Sequence, residues 1–512
     1  MSLAFPAPCP PSHGGEGGEK QTSQDRKDFS HAWAGSSSAG SWLRRRHNSM
    51  MGLWNSRVDR HWMPCAAFGL GWSLCFGLVA CAGPSSQLAS GPQVAAGPMV
   101  GHVAPDRARI WVQGDGPGWL GIEYRKPGRQ GWLRLLGPGG RPFRGYLPPE
   151  QAFCRVLQLS ALEPQTDYEF RLLNASGPLT EEAVGGFRTP PPPGQEEALR
   201  VAFGSCAGDW GLDPSQAIFQ TVAEQEPDVF LWLGDNHYYS LQEREWQQPN
   251  SMWASWKRQR SKENLQALLR WTAHYAIWDD HDYGPDNSDK LFRWKWHALA
   301  MFQAYWANPA YGSHGTPGVW FRFRRGRVEF FCLDTRFHRD PNWMEAHDEK
   351  RLLGPVQSAW LKQALASSSA DFKIIVSGNQ VLAQYHPFES WHQFPAERRE
   401  LLSFLQDRKI SGVLFLSGDR HASEVIRWPE PFPYPLYEIT SSPLAAGLYP
   451  PVADSEAPER LPGTSVGKEN FGLLDFQWQP EPLIRYRALN AAGEDQHPAV
   501  EIRLSELQFD EN

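Results

Sequence analysis

Val229-Phe-Leu-Trp-Leu-Gly-Asp235 is a run of five apolar residues, without alternation, stopped by a glycine and a carboxylate. A strand with one face in water alternates apolar and polar side chains. An unbroken short run instead suits a strand buried on both faces, the kind found in sheets covered by helices. The pattern recurs in Val201-Ala-Phe-Gly-Ser-Cys206, Ala276-Ile-Trp-Asp-Asp280-His281-Asp282, Ile374-Ile-Val-Ser-Gly-Asn379 and Val413-Leu-Phe-Leu-Ser-Gly-Asp419-Arg-His421. In α/β sheets, ligand groups gather in the crevice beyond the carboxyl ends of such strands, and a glycine there lets backbone approach a ligand closely. Gly-Asp after one strand is ordinarily a turn. Five such ends in one chain point to one cation-competent site assembled from five strands.

Helical patterns fall between the runs. Residues 214–226 read as a helix entered through Asp213, with an apolar stripe at Ala217, Ile218 and Val222. Further helices are expected at 263–271, 294–306, 355–367 and 396–408, with hairpin pieces at 318–324 and 327–333. This mixture predicts an α/β fold, a layered sandwich over residues 198–507 whose sheets are not purely parallel. Ahead of it, seven short strand-like stretches (94–103, 108–113, 119–124, 132–136, 153–159, 168–174 and 184–188) predict a fibronectin- or immunoglobulin-like β-sandwich over residues 90–189. Within it, Leu162-Glu-Pro164-Gln-Thr166-Asp-Tyr168 resembles the tyrosine corner of fibronectin type III domains. Arg188-Thr-Pro190-Pro-Pro-Pro193-Gly194 reads as a stiff, polyproline-like link between the two.

Over 512 residues, 50 Lys and Arg against 57 Asp and Glu leave a formal charge of −7. No basic face is expected from that balance, which argues against a nucleic-acid-binding surface. The 24 tryptophans gather at Trp253, Trp256, Trp271, Trp278, Trp294 and Trp296 and read as core or cleft packing. Only Cys154, Cys206 and Cys332 fall in the globular part, an odd and sparse set for a disulfide framework, which leaves Cys206 free for another task. Residues 1–50, rich in Gly, Ser and Pro, read as disordered or as an upstream extension. Residues 51–81 read as a targeting segment: Arg57 and Arg60 precede an uncharged apolar stretch that ends in Leu78-Val79-Ala80-Cys81. That ending resembles the bacterial lipobox, which implies lipidation at Cys81, export to the cell envelope, periplasm or outer surface, and membrane association through the lipid. An uncleaved anchor competes, because the stretch approaches the roughly 20 residues that span a bilayer.

Asp235 and Tyr238, in Gly234-Asp235-Asn-His237-Tyr238, can place a carboxylate and a phenolate on one ion. A carboxylate can bridge two cations, and a phenolate suits a trivalent metal such as iron. Asp419 and His421 offer a carboxylate and an imidazole from one loop. Two cations roughly 3.5–4 Å apart activate a water and clamp a phosphoryl oxygen, a general solution to phosphoester hydrolysis. Taken singly, each residue has a plainer reading as a hydrogen-bonded His or Tyr or a small buried Cys.

The ordered set of Gly204-Ser-Cys206, Gly234-Asp235-Asn-His-Tyr238, Trp278-Asp-Asp280-His281-Asp-Tyr-Gly284, Gly378-Asn379-Gln380-Val381 and Ser417-Gly418-Asp419-Arg-His421 resembles the PhoD-type alkaline phosphatases. These are a branch of the calcineurin-like metallophosphoesterases related to purple acid phosphatases. The resemblance covers about residues 90–505 and implies a role for each motif residue. Cys206 would be a thiolate ligand to ferric iron, Asp235 the bridge between metals, Tyr238 the second anion on the iron, and His421 the completion of its shell. Asp280 stands at the position of the usual asparagine ligand, leaving His281 to contact the phosphate and serve the leaving oxygen. Asn379 and Asp419 stand where other branches carry histidines, so the resemblance implies calcium at the second position. Tyr283-Gly-Pro-Asp286-Asn287-Ser-Asp289 departs from the family order and leaves open which of Asp286, Asn287 and Asp289 reaches a cation. His237 and Arg260 are candidate substrate contacts, Arg260 with Arg258 from the basic Trp256-Lys-Arg-Gln-Arg260; a solvated helix face competes for the arginines and plain packing for His237. His386 and His392 are candidate cleft residues.

The function this implies is an exported, metal-dependent hydrolase that releases phosphate from phosphomonoesters, with some phosphodiesterase activity. A phosphodiesterase or phospholipase D-like enzyme competes within the same class. A calcium-stabilised surface binding protein competes from outside it, against which stand the thiol and phenol, since calcium scaffolds rarely use either.

Overall fold

From Val94 to Arg188 the backbone is strand and turn. The computed structural model describes residues 91–510 apart from 138–139, 212, 314, 387 and 429–431. The expectations for 1–50 and for the targeting segment with Cys81 lie outside the described residues. Strands β1 (Val94–Ala104), β2 (Arg107–Gly114), β3 (Gly118–Arg125), β4 (Leu133–Arg134), β5 (Gly145–Leu147), β6 (Cys154–Ser160), β7 (Asp167–Asn174), β8 (Gly177–Pro178) and β9 (Val184–Arg188) follow one another. β1, β2 and β6 pair antiparallel in one sheet, while β3 and β7 carry the remaining strands in another. The phenol oxygen of Tyr168 accepts the backbone N–H of Glu163 at 2.9 Å, the return to the backbone that the Leu162–Tyr168 phrase suggested.

Each of the five apolar runs is a strand or ends one. β10 (Leu199–Gly204), β11 (Val229–Leu233) and β12 (Ala273–Ile277) lie parallel. The hairpin β13 (Phe321–Arg325) and β14 (Val328–Cys332) precedes β15 (Phe372–Val376), β16 (Val413–Ser417), β17 (Glu424–Trp428) and β18 (Leu436–Thr440). β14, β15, β16 and β18 run parallel, flanked by antiparallel β13 and β17. β19 (Phe471–Gln477), β20 (Leu483–Leu489) and β21 (Val500–Arg503) extend the first sheet antiparallel from β10. From β10 onward the fold is therefore mixed α/β, with two six-stranded sheets neither of which is purely parallel.

The lack of alternation in the runs has a direct cause. Along β11, Val229, Leu231 and Leu233 enter the core shared with β15 and β16, while Phe230 and Trp232 enter a second core with the helices. Side chains alternate between two buried environments, so every position is apolar.

The helices at Glu263–Trp271, Lys295–Tyr305, Gly354–Ser367 and Pro395–Asp407 stand where they were expected. The helix expected over 214–226 is shorter, Ile218–Glu224. The Asp213 carboxylate accepts the N–H groups of Ser215 and Ala217, at 2.9 and 2.7 Å, and Gln216 adopts φ 56°, so a side-chain turn replaces the first helical turn. Gln216 is buried there, donating to the carbonyls of Ala207 and Gly208 at 3.2 and 2.8 Å. A helix at Pro249–Arg260, entered through a proline in its first turn, was not anticipated. Among the described residues no helix is long and apolar enough to cross a membrane.

Candidate metal centre

The loops that leave β10, β11, β12, β15 and β16 converge, and glycines set how closely. A Cβ on Gly234, whose φ is +101°, would lie 2.6 Å from the Asp279 Cβ, and one on Gly418 would lie 2.5 Å from the Ser205 Cβ. The glycines thus admit a neighbouring loop. Cys206, Asp235, Asp419 and His421 all have left-handed backbone, at φ 60°, 51°, 69° and 52°. For non-glycine residues that conformation costs about 1–2 kcal/mol each, and such strain gathers at functional sites.

Three donor groups result, each with its ligand atoms within 4.8 Å of one another: Cys206, Asp235 and His421; Asp235, Asp280 and His281; Asp279, Asp280 and Asp419. Asp235 belongs to two of them. Its Oδ2 lies 3.6 Å from the Cys206 Sγ and accepts the Tyr238 hydroxyl at 2.9 Å, and that hydroxyl is also 3.2 Å from the His421 Nε2. The other ring nitrogen, Nδ1, meets the Gly447 carbonyl, which keeps its proton there and turns an unprotonated Nε2 toward Tyr238 and Asp235. The backbone N–H of His281 reaches Asp235 Oδ1 and Asp280 Oδ1, and that of Asn287 donates to Asp280 Oδ2 at 2.6 Å. Asp286 Oδ1 lies 3.9 Å from His281 Nε2. The His281 side chain, 24 % exposed, opens toward solvent, whereas Asp235, Asp280 and His421 are buried.

The donor set fits cations. Burial, reinforced by the negative charge of Asp280 and the neighbouring thiol and carboxylates, holds the Asp235 carboxyl well above the usual range. Burial and Asp280 raise Asp419 to about 6; burial and Asp419 push the Cys206 thiol up to about 12; burial lowers His421, keeping the imidazole neutral. A dry cluster of acids that repel one another holds protons unless cations replace them.

Asn379 borders the third group. Its Nδ2 donates to Asp279 and Asp419 at 3.1 and 3.3 Å while its Oδ1 accepts from Arg339 at 3.1 Å, so ligation through oxygen requires the amide turned by half a rotation. Two expected substrate contacts are placed elsewhere. His237 is buried against Trp256, ring centroids 4.2 Å apart, with neither ring nitrogen hydrogen-bonded among the described residues. Arg260 is fully buried, its guanidinium 3.9 Å from the centroid of Trp306 and flanked by Trp111 and Trp232. Helical spacing puts Trp256 and Arg260 on one inward face, so a basic stretch became core. Arg258 pairs with Glu245 and Asp209. His386 hydrogen-bonds Gln380 and His392 hydrogen-bonds Ser390.

The sequence reading passed over Asp279 and the arginines behind it. Arg336 Nε bonds Asp279 Oδ1, and its second arm reaches Glu389 at 2.5 Å. Arg339 holds the other Glu389 oxygen at 2.9 Å. The signal was present: Val328-Glu-Phe-Phe-Cys-Leu-Asp334-Thr-Arg336 is a sixth, mostly apolar strand ending in polar groups. Asp282 was also missed. Its two oxygens accept the N–H groups of Asn236 and Asp279, both at 3.0 Å, and so tie the loops after β11 and β12 together.

A family model described as PhoD-like phosphatase matches residues 201–468, which contain all five strand ends. The chain belongs to the PhoD-like phosphatase family. This PhoD-like chain is 23 % identical over 328 residues to alkaline phosphatase D of Bacillus subtilis (strain 168), a match that covers 54 % of each. It thus spans about half the length of that curated relative. A solved structure of PhoD superposes with a TM-score of 0.64 at 18 % identity, covering 81 % of this chain and 92 % of that one. A purple acid phosphatase from yellow lupin (Lupinus luteus) seeds superposes at 0.55 with 13 % identity, covering 81 % and 74 %. At those identities the likeness is one of fold.

Proposed function

We propose that the chain is an exported, metal-dependent phosphoester hydrolase, acting first on phosphomonoesters and with some activity on diesters. The observation that carries this reading is Asp235, shared by a cluster with a thiol and an imidazole and by a cluster with Asp280 and His281. Cys206, Asp235, Tyr238 and His421 suit ferric iron; Asp279, Asp280, Asp419 and Asn379 offer only hard donors and suit calcium. When bound, such cations supply Lewis acidity, drawing charge from a phosphoryl oxygen and making water nucleophilic at neutral pH. The chain's residues do the rest. His281, the exposed member, meets the arriving ester and delivers a proton to the leaving oxygen, with the Asp286 carboxylate beside Nε2 to steady the charged ring. Gly447 fixes the tautomer of His421 through Nδ1. Arg336, with Glu389 and Arg339 behind it, holds Asp279 in place.

The strands from Val94 to Arg188 are read as a fibronectin-like β-sandwich, a reading supported by their two sheets and by the Tyr168 hydroxyl contact. Cys81 is read as the lipidated residue of an exported protein; its replacement by alanine should move the protein out of the membrane fraction, and continued membrane association would leave the anchor reading instead. The central test is one purified sample assayed for iron and calcium, for visible charge-transfer absorption, and for hydrolysis of an aryl phosphate before and after chelation. Metal-dependent turnover is expected. Protein without iron, colour or turnover would favour the calcium-stabilised binding protein, and a preference for a bis-ester by an order of magnitude would overturn the monoester assignment.

A further inference from the structure

An arc of aromatic rings borders the donor cluster, more than holding a phosphoryl group requires. The rings of Tyr238 and His281 are 4.4 Å apart, centroid to centroid. Trp210 stands edge-on to Tyr238 at 5.5 Å and lies along His421 at 6.2 Å. Tyr449 is 5.0 Å from His421 on another side, and Phe388 stacks on Tyr449 at 6.3 Å. Trp210, Phe388 and Tyr449 come from three distant segments, yet all remain exposed, at 54 %, 49 % and 55 %. Large rings are ordinarily buried, and clustered exposure beside a site marks contact with a ligand.

Each ring is held in place. Trp210 packs so closely on Gly447 that a Cβ there would lie 2.5 Å from the indole. The Tyr449 N–H donates to the His421 carbonyl at 3.2 Å. Over Phe388, at 4.5 Å from its centroid, lies the guanidinium of Arg420, the residue between Asp419 and His421. Arg420 is 8 % exposed, and its Nε has no hydrogen-bond partner among the described residues, an uncommon cost for a buried donor.

We propose, building on the phosphoester hydrolase reading, that Trp210, Phe388 and Tyr449 form the leaving-group subsite and that it takes a flat aromatic group, a nucleobase or an aryl ring, carried on the esterified alcohol. The phosphoryl group lies at His281 and the ring stacks along the rim. Fixed π-faces backed by a planar guanidinium gain more from a planar ligand than from a saturated chain of equal bulk. An acyl chain would need an enclosed apolar groove to leave water, and this rim is open.

Two matched pairs of monoesters test the subsite on the metal-loaded full chain: benzyl against cyclohexylmethyl phosphate, and AMP against ribose phosphate esterified at the same hydroxyl. Within a pair the leaving alcohols have similar acidity, so a difference in kcat/KM reports contact. Benzyl phosphate should exceed cyclohexylmethyl phosphate by about tenfold, from stacking. Phe388→Ala and Trp210→Ala should each shrink that ratio several-fold, and Phe388→Trp should restore it. A large AMP preference over ribose phosphate assigns the subsite to nucleobases, and its absence assigns it to small aryl rings. Equal kcat/KM for benzyl and cyclohexylmethyl phosphate, or variants that slow both alike, would overturn the proposal. If no ester is hydrolysed, the hydrolase reading fails by itself. The subsite is then judged by calorimetric binding of the same pairs, with tighter binding of the aromatic members sustaining it and equal Kd values overturning it.

Discussion

A carboxylate between two cations loses charge toward both when it becomes an amide, while its volume barely changes. On the proposed two-cation reading Asp235 would hold that position, and Asp235→Asn should reduce phosphatase turnover by at least about 100-fold while the denaturation midpoint stays close to that of the parent. Turnover within tenfold of the parent would break the shared-ligand arrangement. Cys206 separates iron from a generic pair of divalent ions. On the proposed reading a cation would depress the thiol pKa and keep a thiolate, so Cys206→Ser should lose most of the iron and much of the visible colour. Were Cys206 only a small buried hydrophobe, the serine variant would keep metal, colour and rate. Both residues are identifiable from the chain because strand end, glycine and donor are adjacent there. Trp210, Phe388 and Tyr449 are not, since nothing local to any of them tells of the other two.

The loop that follows β14 shows what a strand-by-strand reading captures and where it stops. Five runs were recognised because burial on both faces removes every polar residue from them. β14 was expected as a hairpin piece at 327–333, but its end did not join the five because Glu329 interrupts the run, although Asp334 and Arg336 follow it in the same manner. Arg336 sits between Asp279 and Glu389 with all three buried. Arg336→Met would leave two desolvated carboxylates without their cation, a loss of about 3–5 kcal/mol for a broken buried pair. Chemical denaturation should register that as a clearly lower midpoint at unchanged slope, and Arg336→Lys should recover only part of it, because an ammonium cannot fork to two carboxylates. An unchanged midpoint for the methionine variant would mean that the network contributes nothing to holding the loop. The helix expected at 214 failed for a related reason: Gln216 is committed to distant carbonyls, and tertiary demand outweighed local propensity.

At the scale of the molecule, the N-terminal strands and the site-bearing sheets share a core. Met99 of β1 and Trp111 of β2 enter the same buried cluster as Trp232 of β11 and the helical residues Trp256 and Phe302, with Trp306 just beyond the helix Lys295–Tyr305. Arg260 lies in the middle, its guanidinium among Trp111, Trp232 and Trp306, with Nε and one terminal nitrogen lacking partners among the described residues. Burial draws its pKa down to about 10, which leaves it charged at neutral pH, held by ring faces rather than by a carboxylate. Arg260→Met exchanges the cation–π contacts, worth about 0.5–2 kcal/mol, for relief from burying unsatisfied donors, worth about 1–3 kcal/mol. Stability should therefore change by no more than about 2 kcal/mol in either direction, with kcat/KM for an aryl phosphate within about threefold of the parent. A phosphate-binding arginine behaves otherwise: its loss would lower kcat/KM by about 100-fold with the denaturation midpoint untouched. Measuring both quantities on the one variant decides whether the basic Trp256–Arg260 stretch belongs to the core or to the substrate.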